Sequence, residues 1–318
     1  MLNVYARLAP DAPLMNAPEL APNDERAIWI DLDRPSETEE SYVETALGVD
    51  VPTHDERAAF EESARFFEED NHLVMTATLL GRRDEGPFIS DAVMFVLAGP
   101  KLVTVRLINP RAFTVGQGRA TARIEQARTG ADVFLALLES VVERIADRLA
   151  EATQDASALS AVIFADGGGP PNLRAAMRRL GTIGALAAQT LDSLSSLLRL
   201  ITFAQAVGAR HGLAGARLKA LRHDCKELER TGAALQARLA FLLDAAVGMV
   251  SVNQNEILKA LSIATIAFVP PTLAASIFGM NFTHFTWYAA AWGPWAAFAL
   301  MLAAPAALFT LAKWRGWF

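Results

Sequence analysis

The chain has 318 residues, 52% hydrophobic and 20% charged, with 29 basic against 35 acidic side chains. The length admits one large or two modest domains with an ample core, while a net charge of −6 excludes a general nucleic-acid binder, which needs clustered Lys and Arg. The single cysteine, Cys225, excludes an intramolecular disulfide framework and any four-cysteine zinc site.

The first residues, MLNVYARLAPDAPLM, lack the apolar core of a signal peptide, so no leader is expected. Residues 27–33, 72–80, 91–98 and 101–107 are rich in Val, Ile, Leu, Phe and Thr and read as strands. Pro35, Pro52, Gly81, Pro87, Gly99, Pro100 and Pro110 punctuate them. Residues 56–70 read as an acidic helix, with 61–70 as its solvated face. These elements predict an α/β domain over 1–130 whose strand order stays open. After Gly130 the pattern turns to long helices, predicted at 132–164, at 172–207, and from near Ala214 to Gly279. The third repeats apolar or small residues in steps of three and four: Leu218, Leu221, Cys225, Leu228, Gly232, Leu235, Leu239, Leu242, Ala246 and Met249. Such a seam predicts helix–helix packing along a stalk, within the region 131–256, and asks for neighbours.

Between Lys259 and Lys313 there is no Asp, Glu, Lys or Arg. Two apolar blocks fill the interval, 257–278 and 292–312, each about the 20 residues that cross a hydrocarbon core. A buried hairpin of a soluble protein is the alternative, but uncharged helices of this length are uncommon there. Lys259, Lys313 and Arg315 flank the blocks, and the connecting loop 279–291 carries no positive charge. The positive-inside rule therefore predicts both termini, including the tail 313–318, in the cytoplasm. Trp287, Tyr288, Trp292 and Trp295 would mark the outer interface, and Trp314 and Trp317 the inner one.

The stalk spacing continues into the first span of this membrane domain (257–318), but its chemistry changes: Asn255, Leu258, Ser262, Thr265, Val269, Thr272, Ser276, then Gly279. Polar groups on one side of an otherwise apolar span are expected to face another helix or water. A packing stripe satisfies that requirement, and so does a hydrated path. Two spans cannot enclose such a path, whereas several copies can, so an oligomeric channel is the economical expectation. Pro270 and Pro271 would loosen the helix by freeing carbonyls. At the outer end stand Gly279, Met280 and Asn281. A helix ending there offers the negative end of its dipole to a cation, and Gly279 suits a left-handed exit. A ring of Asn281 amide oxygens would suit the water shell of Mg²⁺, which dehydrates reluctantly.

At these residues the chain resembles the CorA family of divalent-cation transporters, the two-transmembrane family marked by Gly-Met-Asn. Residues 255–282 are similar to its pore helix and signature, 51–79 to its cytoplasmic sequence, and the order of elements is similar over most of the chain. The resemblance implies an α+β cytoplasmic domain, a long stalk helix and two C-terminal transmembrane helices, assembled as a pentameric funnel in a bacterial-type inner membrane. It assigns a selectivity filter to Gly279, Met280 and Asn281. It assigns pore-lining or gate roles to Asn255, Leu258, Leu261, Val269 and Thr272, alongside Ser262, Thr265 and Ser276 of the polar stripe. It also implies Mg²⁺ as the transported ion, with Co²⁺ or Ni²⁺ tolerated, and closure by cytoplasmic Mg²⁺ at acidic sites between subunits. Asp70 and Asp224 would be the counterparts of those acids. No cofactor is implied, and the partners are further copies, membrane lipid and divalent cations, not nucleic acid.

Two departures keep alternatives open. The outer loop has no acid, only His284; imidazole suits Zn²⁺ better than Mg²⁺, which points to the family's zinc-transporting branch, with or without proton coupling. The second proline, Pro271, also departs from the pattern. A non-transporting membrane scaffold is the remaining class. An enzyme is not expected: the glycines of 116–118 and 167–169 read as loops, no Walker motif is present, and neither His54-Asp55-Glu56 nor His223-Asp224 has a catalytic spacing.

Overall fold

A computed structural model describes residues 1–9, 11–49, 65–69, 72–82, 86, 88–110, 113, 119–165, 170–280 and 292–316, with backbone alone at 119–121 and 170–172. The strands are β1 (Leu2–Ala6), β2 (Met15–Asn16), β3 (Ala27–Asp33), β4 (Phe66–Glu69), β5 (His72–Arg82), β6 (Phe88–Ala98) and β7 (Lys101–Arg106). The helices are α1 (Glu37–Leu47), α2 (Arg119–Gln126), α3 (Gly130–Ile163), α4 (Pro170–Val207), α5 (Gly215–Phe278) and α6 (Gly293–Trp314). The strands form one mixed sheet in the order β2-β1-β3-β7-β6-β5-β4. Among the described strands only β3 and β7 pair in parallel, and the architecture is an α+β domain, a long helix and two C-terminal apolar helices.

The period-2 alternation of strands sends side chains to opposite faces. On one face Ile30, Leu32, Met94, Val96, Val103 and Val105 bury themselves with Val43 of α1. On the other, Tyr5 stacks on Trp29 at 4.3 Å, and Phe95 meets Phe134 of α3 edge-on at 5.4 Å. Helix α1 starts with a capping box, in which Ser36 Oγ accepts from the Glu39 amide and the Glu39 carboxylate accepts from the Ser36 amide. Glu39 also holds the N-terminal ammonium at 3.1 Å. The Ser36-x-x-Glu39 signature and the alternation of LNVYA were the signals for α1 and β1, neither of which the sequence reading singled out.

Two expectations are corrected. Phe66–Glu69, assigned to the acidic helix, is an edge strand paired antiparallel with His72–Met75. Tertiary packing decides this, since the Phe66 ring lies 5.5 Å from that of Phe203 on α4, an anchor invisible to helix propensity; positions 56–64 and 70 lie outside the described residues. The seam on α5 is also filled without a second copy. Leu218, Leu221, Cys225, Gly232, Leu235, Leu239, Leu242 and Ala246 are buried within the single chain. At Gly232 a Cβ would stand 2.6 Å from Leu191 Cδ2 of α4, so α4 and α5 meet where only hydrogen fits.

Contacts divide the chain into two units: Met1–Ala161 with Ala176–Leu242, and Val162–Ala175 with Leu243–Phe318. In the first, a buried polar ladder runs under the sheet: Trp29 Nε1 donates to Thr104 Oγ1 (2.9 Å), Thr104 Oγ1 donates to Asp31 (2.8 Å), and Arg106 Nη2 reaches Asp31 (2.9 Å) and Asp33 (3.1 Å). Burial alone would pull the Arg106 pKa down, but the two aspartates more than offset it and raise it. Burial, with Asp31 adding to it, pushes the neighbouring Tyr5 phenol up to about 12.

Candidate functional site

Helix α5 continues without a break past Asn255 to Phe278, carrying both prolines inside it. Asn255, Leu258, Ser262, Thr265, Val269, Thr272 and Ser276 therefore recur every three or four residues on one helix. That spacing lags a 3.6-residue turn by about 20° per heptad, so the stripe slants by about 60° over three heptads. All seven are exposed, as is Leu261 at its side; Leu258, Leu261 and Val269 show 58%, 62% and 55% of their surface. The rest of the span is equally uncovered. Just 6% of the apolar stretch of α5, and 11% of that of α6, is buried within the chain. Those two helices are the candidate membrane spans, long and apolar enough to cross a bilayer. Their few buried positions are small, namely Ala274, Gly293, Ala297 and Ala312.

Three hydroxyls of the stripe donate to carbonyls of their own helix. Ser262 Oγ donates to the Leu258 carbonyl (2.8 Å), Thr265 Oγ1 to Leu261 (2.9 Å) and Thr272 Oγ1 to Phe268 (2.7 Å). Each proton is thus used four residues back in its own helix, a bond that also bends helices. What remains on each oxygen is acceptor capacity. With their donors satisfied, Ser262, Thr265 and Thr272 cost less in lipid than free hydroxyls would, and outward these three present acceptors. Pro270 and Pro271 lack the N–H groups that would pair with the carbonyls of Ile266 and Ala267, adding two acceptors in the next turn.

The helix ends where the motif begins. Gly279 N donates to the Ala275 carbonyl (2.8 Å) and Met280 N to that of Ile277 (3.4 Å). The expected left-handed exit at Gly279 is corrected: the glycines with positive φ among the described residues are Gly48, Gly99, Gly212 and Gly316. What Gly279 supplies is room, because a Cβ there would lie 3.0 Å from the Ala275 carbonyl oxygen. Met280 is exposed. Asn281, His284, Trp287 and Tyr288 lie outside the described residues, as do Trp317, His54-Asp55-Glu56, Asp70 and the glycines of 116–118 and 167–169. Trp292, Trp295 and Trp314 are exposed at the ends of α6.

Asp224 stands exposed on α5 beside Cys225, whose thiol burial pushes up to about 12. Among the described residues no three His, Cys, Asp or Glu side chains converge as a metal site. The structure thus places the stripe along one helix, with Gly279 and Met280 just past its end; the pairing of Asp224 with Asp70 falls outside the described residues.

A family model described as "CorA-like Mg2+ transporter protein" matches residues 24–315. The chain belongs to the CorA family. A magnesium transport protein CorA from Yersinia pseudotuberculosis is 29% identical over 304 residues, covering 94% of this chain and 95% of that one. The Escherichia coli protein of the same name is 28% identical over 294 residues, covering 92% of each. Among solved structures, the complete CorA magnesium transporter of Methanocaldococcus jannaschii aligns with a TM-score of 0.72 at 16% identity, over 100% of this chain and 99% of that one. Its CorA fold is therefore shared from end to end, although few residues are.

Proposed function

We propose that this CorA-family chain carries divalent cations, Mg²⁺ foremost, passively down their electrochemical gradient as a homopentamer in a bacterial-type inner membrane. Both termini are then cytoplasmic, and the domains run as 1–130, 131–256 and 257–318, with spans 257–278 and 292–312. The observation that carries this reading is the donor-satisfied stripe. The waters around Mg²⁺ point their hydrogens outward, so a hydrated ion needs acceptors. Ser262, Thr265 and Thr272 offer acceptors alone once their protons are tied to Leu258, Leu261 and Phe268. The relatives named above, magnesium transport proteins by description, support Mg²⁺ as the ion.

In this mechanism five copies of the first span surround the axis, with Asn255 at the inner end and Ser276 at the outer. Gly279, Met280 and Asn281 form the outer mouth, where the asparagine amides and the negative helix ends attract the ion without stripping its water. Neutral acceptors bind weakly enough for release, as conduction requires. Leu258 and Leu261 can close the narrow part by dewetting, and Val269 interrupts the polar run. Asp224, facing out from α5, would hold cytoplasmic Mg²⁺ with acids of another copy, Asp70 included, and keep the pore shut until the ion leaves.

The test is competitive uptake of Mg²⁺ and Zn²⁺ into proteoliposomes of the full chain, with a membrane potential and then a pH gradient. Mg²⁺ flux driven by potential alone supports the proposal. Flux that requires the pH gradient and prefers Zn²⁺ sinks it in favour of a proton-coupled zinc transporter using His284, and no flux at all indicates a scaffold. Co²⁺ and Ni²⁺ are expected to pass more slowly. Asn281→Ala should lower flux and blur ion preference, and Asp224→Ala should weaken inhibition by internal Mg²⁺.

A further inference from the structure

A second polar site lies in the N-terminal unit, remote in chemistry from anything that handles a cation. Arg82 ends β5, Phe88 opens β6, and Val141, Arg144, Ile145 and Arg148 come from one face of α3; between them is a cavity of about 70 Å³. The guanidinium carbon of Arg82 lies 4.1 Å from the centroid of the Phe88 ring, and that of Arg148 lies 4.7 Å from the same centroid. Stacking occupies the flat face of a guanidinium and fixes its plane, while leaving the in-plane N–H fork available. Both arginines therefore lie within cation–π reach of one ring, which helps to hold them at the cavity.

The charges at this cavity are poorly balanced. Arg82 Nε is buried with no hydrogen-bond partner, a state that folded proteins avoid unless something else satisfies the group. Arg144 precedes Arg148 by one turn on the same helix face, where like charges repel, and it forms no ion pair among the described residues. Glu151 alone among described carboxylates pairs here, with Arg148 at 2.8 Å, and it is itself 65% exposed. Among the described residues, three cations surround an apolar-walled hollow with one carboxylate at its edge, an arrangement that favours an anion.

Size and donor geometry narrow the class. At about 10–15 Å³ per water-sized position, the cavity holds roughly five or six such positions, comparable to the five heavy atoms of a phosphate group. Forked guanidiniums match the paired oxygens of a tetrahedral oxyanion, and the apolar walls of Val141, Ile145 and Phe88 strengthen such bonds by excluding water. We propose that the Arg82–Arg144–Arg148 cavity is a binding site for a phosphate group, either free phosphate or the terminal phosphoryl group of a nucleotide. It does not depend on the transport reading, since its three arginines and Phe88 belong to the sheet and α3.

The experiment is calorimetric titration of the full-length protein in nanodiscs, first with inorganic phosphate and then with ATP, in magnesium-free chloride buffer. Saturable phosphate binding is expected. It should weaken by about tenfold in Arg144→Gln and again in Arg82→Gln, the scale of a lost charge-assisted hydrogen bond. Arg230→Gln, on exposed α5 surface, should leave it unchanged. Because Arg144 is exposed, Arg144→Gln keeps the test decisive even if Arg82→Gln fails to fold. ATP binding about tenfold tighter than phosphate assigns the site to a nucleotide's terminal group, and equal or weaker ATP binding assigns it to free phosphate. No saturable binding of either, or binding that Arg144→Gln and Arg82→Gln leave intact, overturns the proposal and reduces the cluster to arginine–aromatic packing.

Discussion

The two units of this chain obey one rule in opposite solvents. In the unit built from Met1–Ala161 and Ala176–Leu242, the core buries large apolar side chains completely, Trp29, Phe95 and Phe134 among them. The charges that accompany them inside are bonded, as in the Trp29–Thr104–Asp31–Arg106 ladder. In the unit that contains residues 243–318, large apolar groups lie outside: Leu261 is 62%, Phe268 72% and Trp295 77% exposed. Its hydroxyls turn inward to their own backbone. The first unit stabilises itself by hiding apolar surface from water. The second ties the hydroxyls of Ser262, Thr265 and Thr272 to their own helix and leaves its apolar surface for lipid. The lesson is that exposure alone does not mark an interface; exposure of a helix whose backbone and hydroxyls are already satisfied marks a change of solvent.

The contrast can be broken or sharpened by mutation. The largest effect is expected from Arg106→Leu, which removes the guanidinium partner of the buried Asp31 carboxylate. Removing one partner of a buried ion pair costs about 3–5 kcal/mol, read as a shift in the urea unfolding midpoint of the N-terminal unit. A loss under about 1 kcal/mol would show that the ladder is not buried as described. Next comes Gly232→Val. The Leu191 methyl leaves no space there, and overpacking should cost about 1–3 kcal/mol; unchanged stability would mean that the α4–α5 contact is looser than it is drawn.

Across the boundary the direction changes. Thr265→Val and Thr272→Val should leave unfolding of the first unit untouched and reduce Mg²⁺ flux several-fold each, since each deletes one acceptor worth about 0.5–1.5 kcal/mol. Full flux in the double variant would remove the stripe from the conduction path. The smallest effects are titrations. With its pKa pushed up to about 12 by burial, Cys225 should resist thiol reagents at pH 8 until the protein unfolds; rapid labelling would place it at an open surface. Asp24 is held at about 2 by the hydrogen-bonding guanidinium and amide of Arg26. Its folded pKa lies below the unfolded value, so its contribution is present above about pH 4 and lost as pH falls towards 2. Asp24→Asn should therefore flatten acid unfolding slightly in that window and change nothing at neutral pH.

Much of this was readable in the chain. The strand Ala27–Asp33 and the three long helices follow from periodicity and from breaks at Gly and Pro. The two spans follow from an interval without charge. Other features needed contacts between distant residues. Phe66–Glu69 became a strand because His72–Met75 and Phe203 were there to receive it. Gly279 turned out to matter for room rather than handedness, which depends on a carbonyl oxygen four residues back. The cavity at Arg82 was not legible at all, because Arg144 and Arg148 stand more than sixty residues further along the chain.

By itself the sequence determined where this protein changes solvent, which faces of its helices are polar, and which family it resembles, because these depend on local composition and on the 3.6-residue period of one helix. The tertiary structure alone decided strand order and the partner that fills the α5 seam. Those outcomes are set by which surfaces meet across the chain, and a one-dimensional pattern holds the propensity to meet but not the partner.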